Sequence, residues 1–295
     1  IDSAVLSGPV FMSLSLHSNS TSVSPATRCV PNSDQLSVIA ATIILTYAIA
    51  GLITLPEREL RFEFWNLYVV FSINARMLVT VVAALMAGFG ADWLIRNHPL
   101  WNRKSTLEHW LLPLLTALVL GFLTGQLEYD LYGWIGYFLG AGFLVGVLVA
   151  EYIAVSPTDS RYPLAISVLT ATSYLLYILF CILLRIFYFR LLLLLPSLFL
   201  ATLLVSLRNL RLRFPYGWAF PEALLISIPV LQLASALHYW PISELAYGLA
   251  LLGAAYALFQ TVCWLKSNPA KRIGFLEPLI LLFLTWLLAY WLEQR

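Results

Sequence analysis

Long apolar runs separated by short polar segments make up the chain from residue 37 onwards. An α-helix rises 1.5 Å per residue, so it needs roughly 20 residues to cross a hydrocarbon core about 30 Å thick. Lipid offers the backbone no hydrogen-bonding partners, so each run of that length is expected to be helical. The pattern predicts an all-α, polytopic transmembrane helix bundle of about nine spans. They are residues 37–54, 77–95, 108–126, 132–153, 163–184, 189–206, 220–238, 244–265 and 275–292.

Residues 1–36 differ from the rest of the chain. They are rich in Ser, Thr, Asn and Pro and show no helical apolar period, which predicts an N-terminal extension in front of a bundle that occupies residues 37–295. A segment of this composition buries too little apolar surface to order itself. We therefore hypothesise that residues 1–33 bind a partner protein.

An arginine stands at the start of the second run. A helix over residues 62–95 would be about 51 Å long, whereas residues 77–95 alone give about 28 Å and fit the bilayer. Residues 62–76 place aromatic side chains between polar ones, which favours an interfacial helix in the headgroup layer. Arg76 then lies at the interface, and the alternative is a buried Arg76 paired with Asn74 or an acidic neighbour.

Small residues and prolines are the main features inside the runs. Glycines along the fourth run are expected to share one side of its helix, where they let a neighbouring backbone approach. They are Gly133, Gly136, Gly140, Gly142 and Gly146. Prolines predict kinks in the third, sixth and seventh helices, because proline removes a backbone donor. They are Pro113, Pro196 and Pro229.

Runs two to five and six to nine repeat the same order of features. Pro113 and Glu128 match Pro229 and Glu244 at an identical offset of 116 residues. One interpretation is a parallel four-plus-four helix repeat with the first helix added, and such repeats are a transporter trait. Simple alternation of helical hairpins produces much of the same pattern.

Composition and charge restrict the class of protein further. The chain is 61% hydrophobic and 11% charged, against about 25% charged in ordinary soluble domains, so lipid must be the solvent for most of it. A net charge of +2, spread over short loops, does not favour nucleic acid. If the N-terminus is cytoplasmic, eleven basic residues fall in cytoplasmic segments and six in outer ones, which favours this orientation.

Residues with catalytic chemistry are sparse. No Asp-rich prenyl-transfer motif, His-Glu-x-x-His motif or paired Ser and His is present, so no enzyme activity, cofactor or metal site is predicted. Asp92, His98, Glu108 and His109 are expected near the inner mouth of helices two and three. Their spacing is not typical of a metal site, and Asp92 falls within one turn of its helix end, which favours interfacial anchoring.

Two stretches carry a resemblance to a known family. "LVAEYIAVSPTDSRYPLA" at residues 148–165 and "ALHYWPIS" at 236–243 resemble segments of an uncharacterised family of bacterial multi-spanning membrane proteins. The resemblance covers the chain from the second helix onwards, and its motifs are loop anchors. It implies an inner-membrane protein and no activity.

Two classes of function fit these features, and the first is the preferred interpretation. One is a non-catalytic accessory or scaffold subunit of a larger membrane complex, favoured by the packing glycines, the ten tryptophans and the apparent lack of buried charge. The other is a transporter or permease for a lipid or small apolar solute, favoured by the prolines and the repeat. Ion coupling is disfavoured, because no carboxylate is expected at mid-membrane.

The interfacial position of Arg76 leads to a testable expectation. A cysteine placed at residue 76 should react readily with a membrane-impermeant thiol reagent added from the outer side, and Arg76→Leu should leave folding intact. Labelling of intact cells and detergent-solubility assays measure the two effects. Protection of the thiol together with loss of folding would instead indicate a buried functional charge.

Overall fold

The computed structural model describes residues 31–52, 58–64, 67–73, 75–99, 101, 106–125, 131–157, 159–187, 191–214, 219–267 and 276–294. This part of the chain forms nine helices and two strands. In chain order they are α1 (Ser33–Leu52), β1 (Arg58–Phe64), β2 (Leu67–Ile73), α2 (Ala75–Arg96), α3 (Leu107–Thr124), α4 (Leu131–Ala154), α5 (Tyr162–Ile186), α6 (Leu191–Arg213), α7 (Phe220–His238), α8 (Glu244–Ser267) and α9 (Leu276–Glu293).

Seven of the helices, α2 and α4 to α9, are long and apolar enough to cross a membrane. The apolar stretches described in α1 and α3, Ser33–Ile49 and Glu108–Thr124, are shorter. The outer surface carries large apolar side chains such as Leu139 and Phe283, each 69% exposed, which suit contact with lipid. The predicted helical membrane bundle is confirmed, with membrane-spanning length in seven of the nine predicted spans.

The helix expected over residues 62–76 is wrong, because the described residues 58–64 and 67–73 form two paired strands, a β-hairpin. β1 pairs with β2 in antiparallel register, from Arg58 opposite Ile73 to Phe64 opposite Leu67. The sequence contains the signal, since apolar Leu60, Phe62 and Phe64 alternate with charged residues at a period of two. Aromatic and β-branched residues, which favour strands, dominate β2.

Helix α3 joins two apolar cores. Leu115 and Val119 on one face pack into a core built from α5, α6, α7 and α8. Ala117, fully buried on another face, belongs to a second core built from α1, α2 and α4. The Tyr47 hydroxyl of α1 also donates to the carbonyl oxygen of Ala117. A central helix of this kind is buried nearly all round, which explains its apolar composition.

The glycines of α4 do not share one side of the helix. An added Cβ at Gly140 would lie 3.4 Å from the Leu120 side chain, so α3 packs closely there. At Gly142 and Gly146 an added Cβ would meet nothing within 4 Å, and both residues are exposed. The expected single packing face is therefore wrong. The helical period places Gly142 and Gly146 on the outer surface of α4, away from the face that contains Gly140. Gly133 is buried and Gly136 is half-buried.

The three prolines lie inside helices as expected. Pro113 is in α3, Pro196 in α6 and Pro229 in α7. Each removes one backbone donor from its helix. The kinks and the four-plus-four repeat stay predictions.

The two environments on α4 predict different effects of the same substitution. Gly140→Leu should destabilise the chain by about 1–3 kcal/mol, because the longer side chain overpacks the contact with Leu120. Gly142→Leu should leave the unfolding midpoint unchanged. Thermal unfolding of both variants in detergent measures the effect, and equal losses of stability would contradict this assignment of helix faces.

Candidate functional site

Most of the charged side chains described inside the helices gather at one end of the bundle. Successive helices alternate in direction, so the last turns of α2, α4 and α6 lie beside the first turn of α3. We call this end A, and the opposite end, where α2 and α6 begin and α3 and α5 finish, end B. Lys and Arg in the last turn of a helix are also stabilised by the negative end of the helix dipole.

A buried ion pair is the centre of end A. Glu151, in the last turn of α4, is 1% exposed, and Arg208, in α6, is 2% exposed. Arg208 Nη2 donates to Glu151 Oε2. His109 Nδ1, in the first turn of α3, lies 2.7 Å from the same Oε2. A carboxylate only accepts hydrogen bonds, so this contact places a proton on Nδ1. Three helices are thus joined at one oxygen atom.

The buried ion pair retains unused hydrogen-bonding capacity. Within the described residues, neither Glu151 Oε1 nor Arg208 Nε has a hydrogen-bond partner. Burying a charge is costly, and the cost is offset only by close pairing and hydrogen bonding. Loss of either member would leave the other as an uncompensated buried charge. We therefore hypothesise that the pair favours one register of α4 against α6.

Two further carboxylates extend the network. Glu108 Oε2 accepts a hydrogen bond from Arg211 Nε, which connects α3 to α6, and both side chains are partly exposed. Asp92 lies 2.7 Å from Arg96 Nε and is 13% exposed in its side chain. Trp110 Nε1 also donates to Asp92 over 3.2 Å, so α2 is connected to α3.

His98 lies beside this network, just after α2. It is 3% exposed, and its ring centroid lies 4.5 Å from that of Tyr152, the neighbour of Glu151. Burial lowers the pKa of His98 below its ordinary value, and nearby His109 lowers this pKa further. The structure thus brings Asp92, His98, Glu108 and His109 to one end of the bundle. No group of three or more metal-ligating residues with suitable geometry occurs in the described part of the chain.

The central pair does not follow from the predicted spans. The sixth predicted span ends at residue 206 and leaves Arg208 and Arg211 in a loop, but α6 continues to Arg213. The expectation that the bundle lacks buried charge is wrong, because Glu151 neutralises Arg208 inside it. A usable signal was the single Glu at the end of an otherwise apolar run, opposite a helix end with several arginines.

Arg76 is in the first turn of α2, which begins at Ala75. Its side chain lies outside the described residues, as do residues 1–30. The interfacial position of Arg76 and the partner-binding role of residues 1–33 stay predictions.

An apolar groove of about 330 Å³ lies between α2, α3, α5 and α6. It occupies the half of the bundle towards end B. One polar side chain, that of Ser197, lines it, and its hydroxyl donates to the carbonyl oxygens of Leu193 and Leu194 over 2.8 and 3.0 Å. The other lining residues include Met77, Val81, Leu114, Leu118, Phe122, Phe187, Leu193 and Leu200.

The two stretches with family resemblance contribute anchoring contacts. The first contains Glu151 and also buried Asp159, which is paired with Arg161 over 3.3 Å. The second supplies carbonyl oxygens of His238 and Trp240, which accept hydrogen bonds from Arg185 over 3.0 and 3.2 Å. The second stretch therefore fixes the segment after α7 against α5, whereas in the first stretch Asp159 and Arg161 pair within one loop and Glu151 joins helices.

Membrane-length helices, lipid-compatible outer faces and a charge network confined to one end define a polytopic helical membrane protein. Residues 55–292 match the model of the DUF5656 family, described as proteins of unknown function, so the chain belongs to that family. The resemblance to an uncharacterised family is thereby confirmed. No curated protein and no solved structure matches the chain.

Removal of one member of the central pair should strongly destabilise the bundle. We expect Glu151→Gln to cost about 3–5 kcal/mol, because Arg208 stays buried without its counter-charge. The matched control, Glu222→Gln, breaks the partly exposed pair with Lys266 and should cost about 0–1 kcal/mol. Unfolding in detergent measures both effects.

The double variant Glu151→Gln with Arg208→Met distinguishes an uncompensated charge from a general packing defect. It should be more stable than Glu151→Gln alone, because no unpaired charge remains buried. A double variant that is no more stable than the single one would contradict the charge explanation.

Proposed function

We propose that this chain is a non-catalytic carrier or permease that binds a lipid or small apolar solute in the groove between α2, α3, α5 and α6. The observation that carries the proposal is the groove itself. Its volume of about 330 Å³ falls in the range of about 300–1,000 Å³ typical of ligand sites. Its lining is almost entirely apolar, which suits a ligand without polar groups along its length.

Helices α3 and α6 are joined at end A and carry prolines beside the groove, which supports bending of these helices around a ligand. At end A the two helices are joined through Glu108 and Arg211. Towards end B side chains of both helices line the groove. Pro113 comes directly before groove residue Leu114, and Pro196 directly before Ser197. Helices α3 and α6 therefore each contain a proline beside the groove, where bending costs less free energy because one backbone hydrogen bond is missing. Contacts at end A hold the two helices together.

Ion coupling is not part of this proposal. Glu151 lies in the last turn of α4 and Glu108 in the first turn of α3, so both carboxylates lie near a helix end. Proton and sodium pathways use carboxylates closer to the middle of the membrane. We further propose that the protein resides in a bacterial inner membrane with its N-terminus, and hence end A, on the cytoplasmic side.

A second candidate is the accessory or scaffold subunit of a membrane complex. It is favoured by the exposed glycines Gly142 and Gly146 on α4, where a partner helix would approach closely. Helix α9 also favours it, since Pro278 and Ala289 are its buried residues and Phe283 and Tyr290 are exposed. Lipid alone covers such faces equally well, so this candidate ranks second.

Lipid movement in liposomes tests the carrier proposal. Full-length protein is inserted into phosphatidylcholine liposomes that contain a fluorescent phosphatidylcholine, and dithionite then bleaches the label in the outer leaflet. We expect the protein to expose inner-leaflet label to bleaching as well. Ser197→Trp should slow this exposure roughly tenfold, because the indole fills the groove.

The matched control is Leu225→Trp on the outer surface of α7, where the residue is 58% exposed. This variant adds the same indole away from the groove and should move lipid at the rate of the unmodified chain. Bleaching no faster than in protein-free liposomes would refute lipid movement by this chain and favour the subunit candidate.

A further inference from the structure

The groove matches one leaflet of a bilayer in length. On α6 it runs from Leu193 to Leu204, which corresponds to about 16 Å along the helix axis. Half of a hydrocarbon core is about 15 Å thick. An extended acyl chain of one leaflet therefore fits the groove along its whole length.

The groove is open sideways, between α2 and α6. Val81 on one rim is 38% exposed and Leu200 on the other is 54% exposed. Both rims belong to helices long enough to span a membrane. The molecules that meet this opening are therefore those already in the bilayer. The hydroxyl of Ser197 is occupied by backbone carbonyls, so nothing in the lining requires a polar partner.

The two ends of the groove differ. Towards end A, Leu112 and Leu207 are 1% and 4% exposed, and the buried pair of Glu151 and Arg208 follows. A polar head group has no space there. Towards end B the groove continues to Met77, near the start of α2, to the last turns of α3 and α5, and to the first turn of α6. A lipid in the groove therefore has its head group at end B.

We propose that the groove holds one acyl chain of a membrane lipid drawn from the leaflet at end B, with the head group outside the helices at that end. This inference rests on the proposed function, since it names the ligand class and its direction in the same groove. The methyl end of the chain lies beside Leu114 and Leu204, near the middle of the bundle.

Photocrosslinking in liposomes tests the depth and direction of the chain. The full-length protein is inserted into phosphatidylcholine liposomes that contain one of two photoactivatable phosphatidylcholines. The first has a diazirine at the methyl end of one chain, and the second has it next to the carbonyl. Mass spectrometry then locates the modified residues.

We expect the methyl-end probe to label Leu114 or Leu204 and the carbonyl-end probe to label Met77, Phe187 or Leu193. Ser197→Trp should reduce this labelling roughly tenfold, whereas the surface control Leu225→Trp should not change it. Labelling spread evenly over exposed residues such as Leu139 and Phe283, or a reversed depth order of the two probes, would overturn the inference.

The outcomes separate this inference from the carrier proposal. Specific crosslinking without lipid movement supports the acyl-chain site and refutes lipid movement by the protein. Lipid movement without specific crosslinking in the groove supports the carrier and refutes the acyl-chain site. Retention of specific crosslinking in Ser197→Trp also refutes the site, provided that this variant elutes as a folded protein from size-exclusion chromatography in detergent.

Discussion

The buried pair of Glu151 and Arg208 is the constraint on which the arrangement of the bundle depends. In lipid the hydrophobic effect does not favour one helix neighbour or one register over another, because lipid tails are as apolar as leucine. A charge that is almost fully buried has one acceptable arrangement, opposite its partner. With His109 on the same carboxylate, the pair fixes α3, α4 and α6 together at end A.

The attachment of α3 to α6 at end A explains how the bundle can contain a groove towards end B. Close packing through small residues fills the contact between α8 and α5, since a Cβ added at Gly248 would lie 2.9 Å from the Ile182 side chain. The lining of the groove instead consists of large apolar side chains on four helices that leave space between them. Contacts at end A keep α3 and α6 together although the groove lies between them towards end B. The groove can therefore hold an apolar ligand while the helices keep their register.

The sequence predicted the membrane class and most helix positions because lipid makes both a matter of local composition. Apolar length gave all nine helices, with bounds that differ from the structure by seven residues at most, in α6. The hairpin of β1 and β2 was missed although alternating Leu60 and Phe62 signalled it, because aromatic residues among polar ones also suit an interfacial helix.

The charge network and the groove were decided by tertiary structure alone. Glu151 and Arg208 are 57 residues apart, and local sequence places each merely near a helix end, where an exposed charge is normal. Burial depends on which helices become neighbours. Likewise, Leu118 and Leu200 look like any lipid-facing leucines, and the space between them exists only once four helices are packed. Composition and apolar length determined the class and the elements, and long-range helix contacts determined the site.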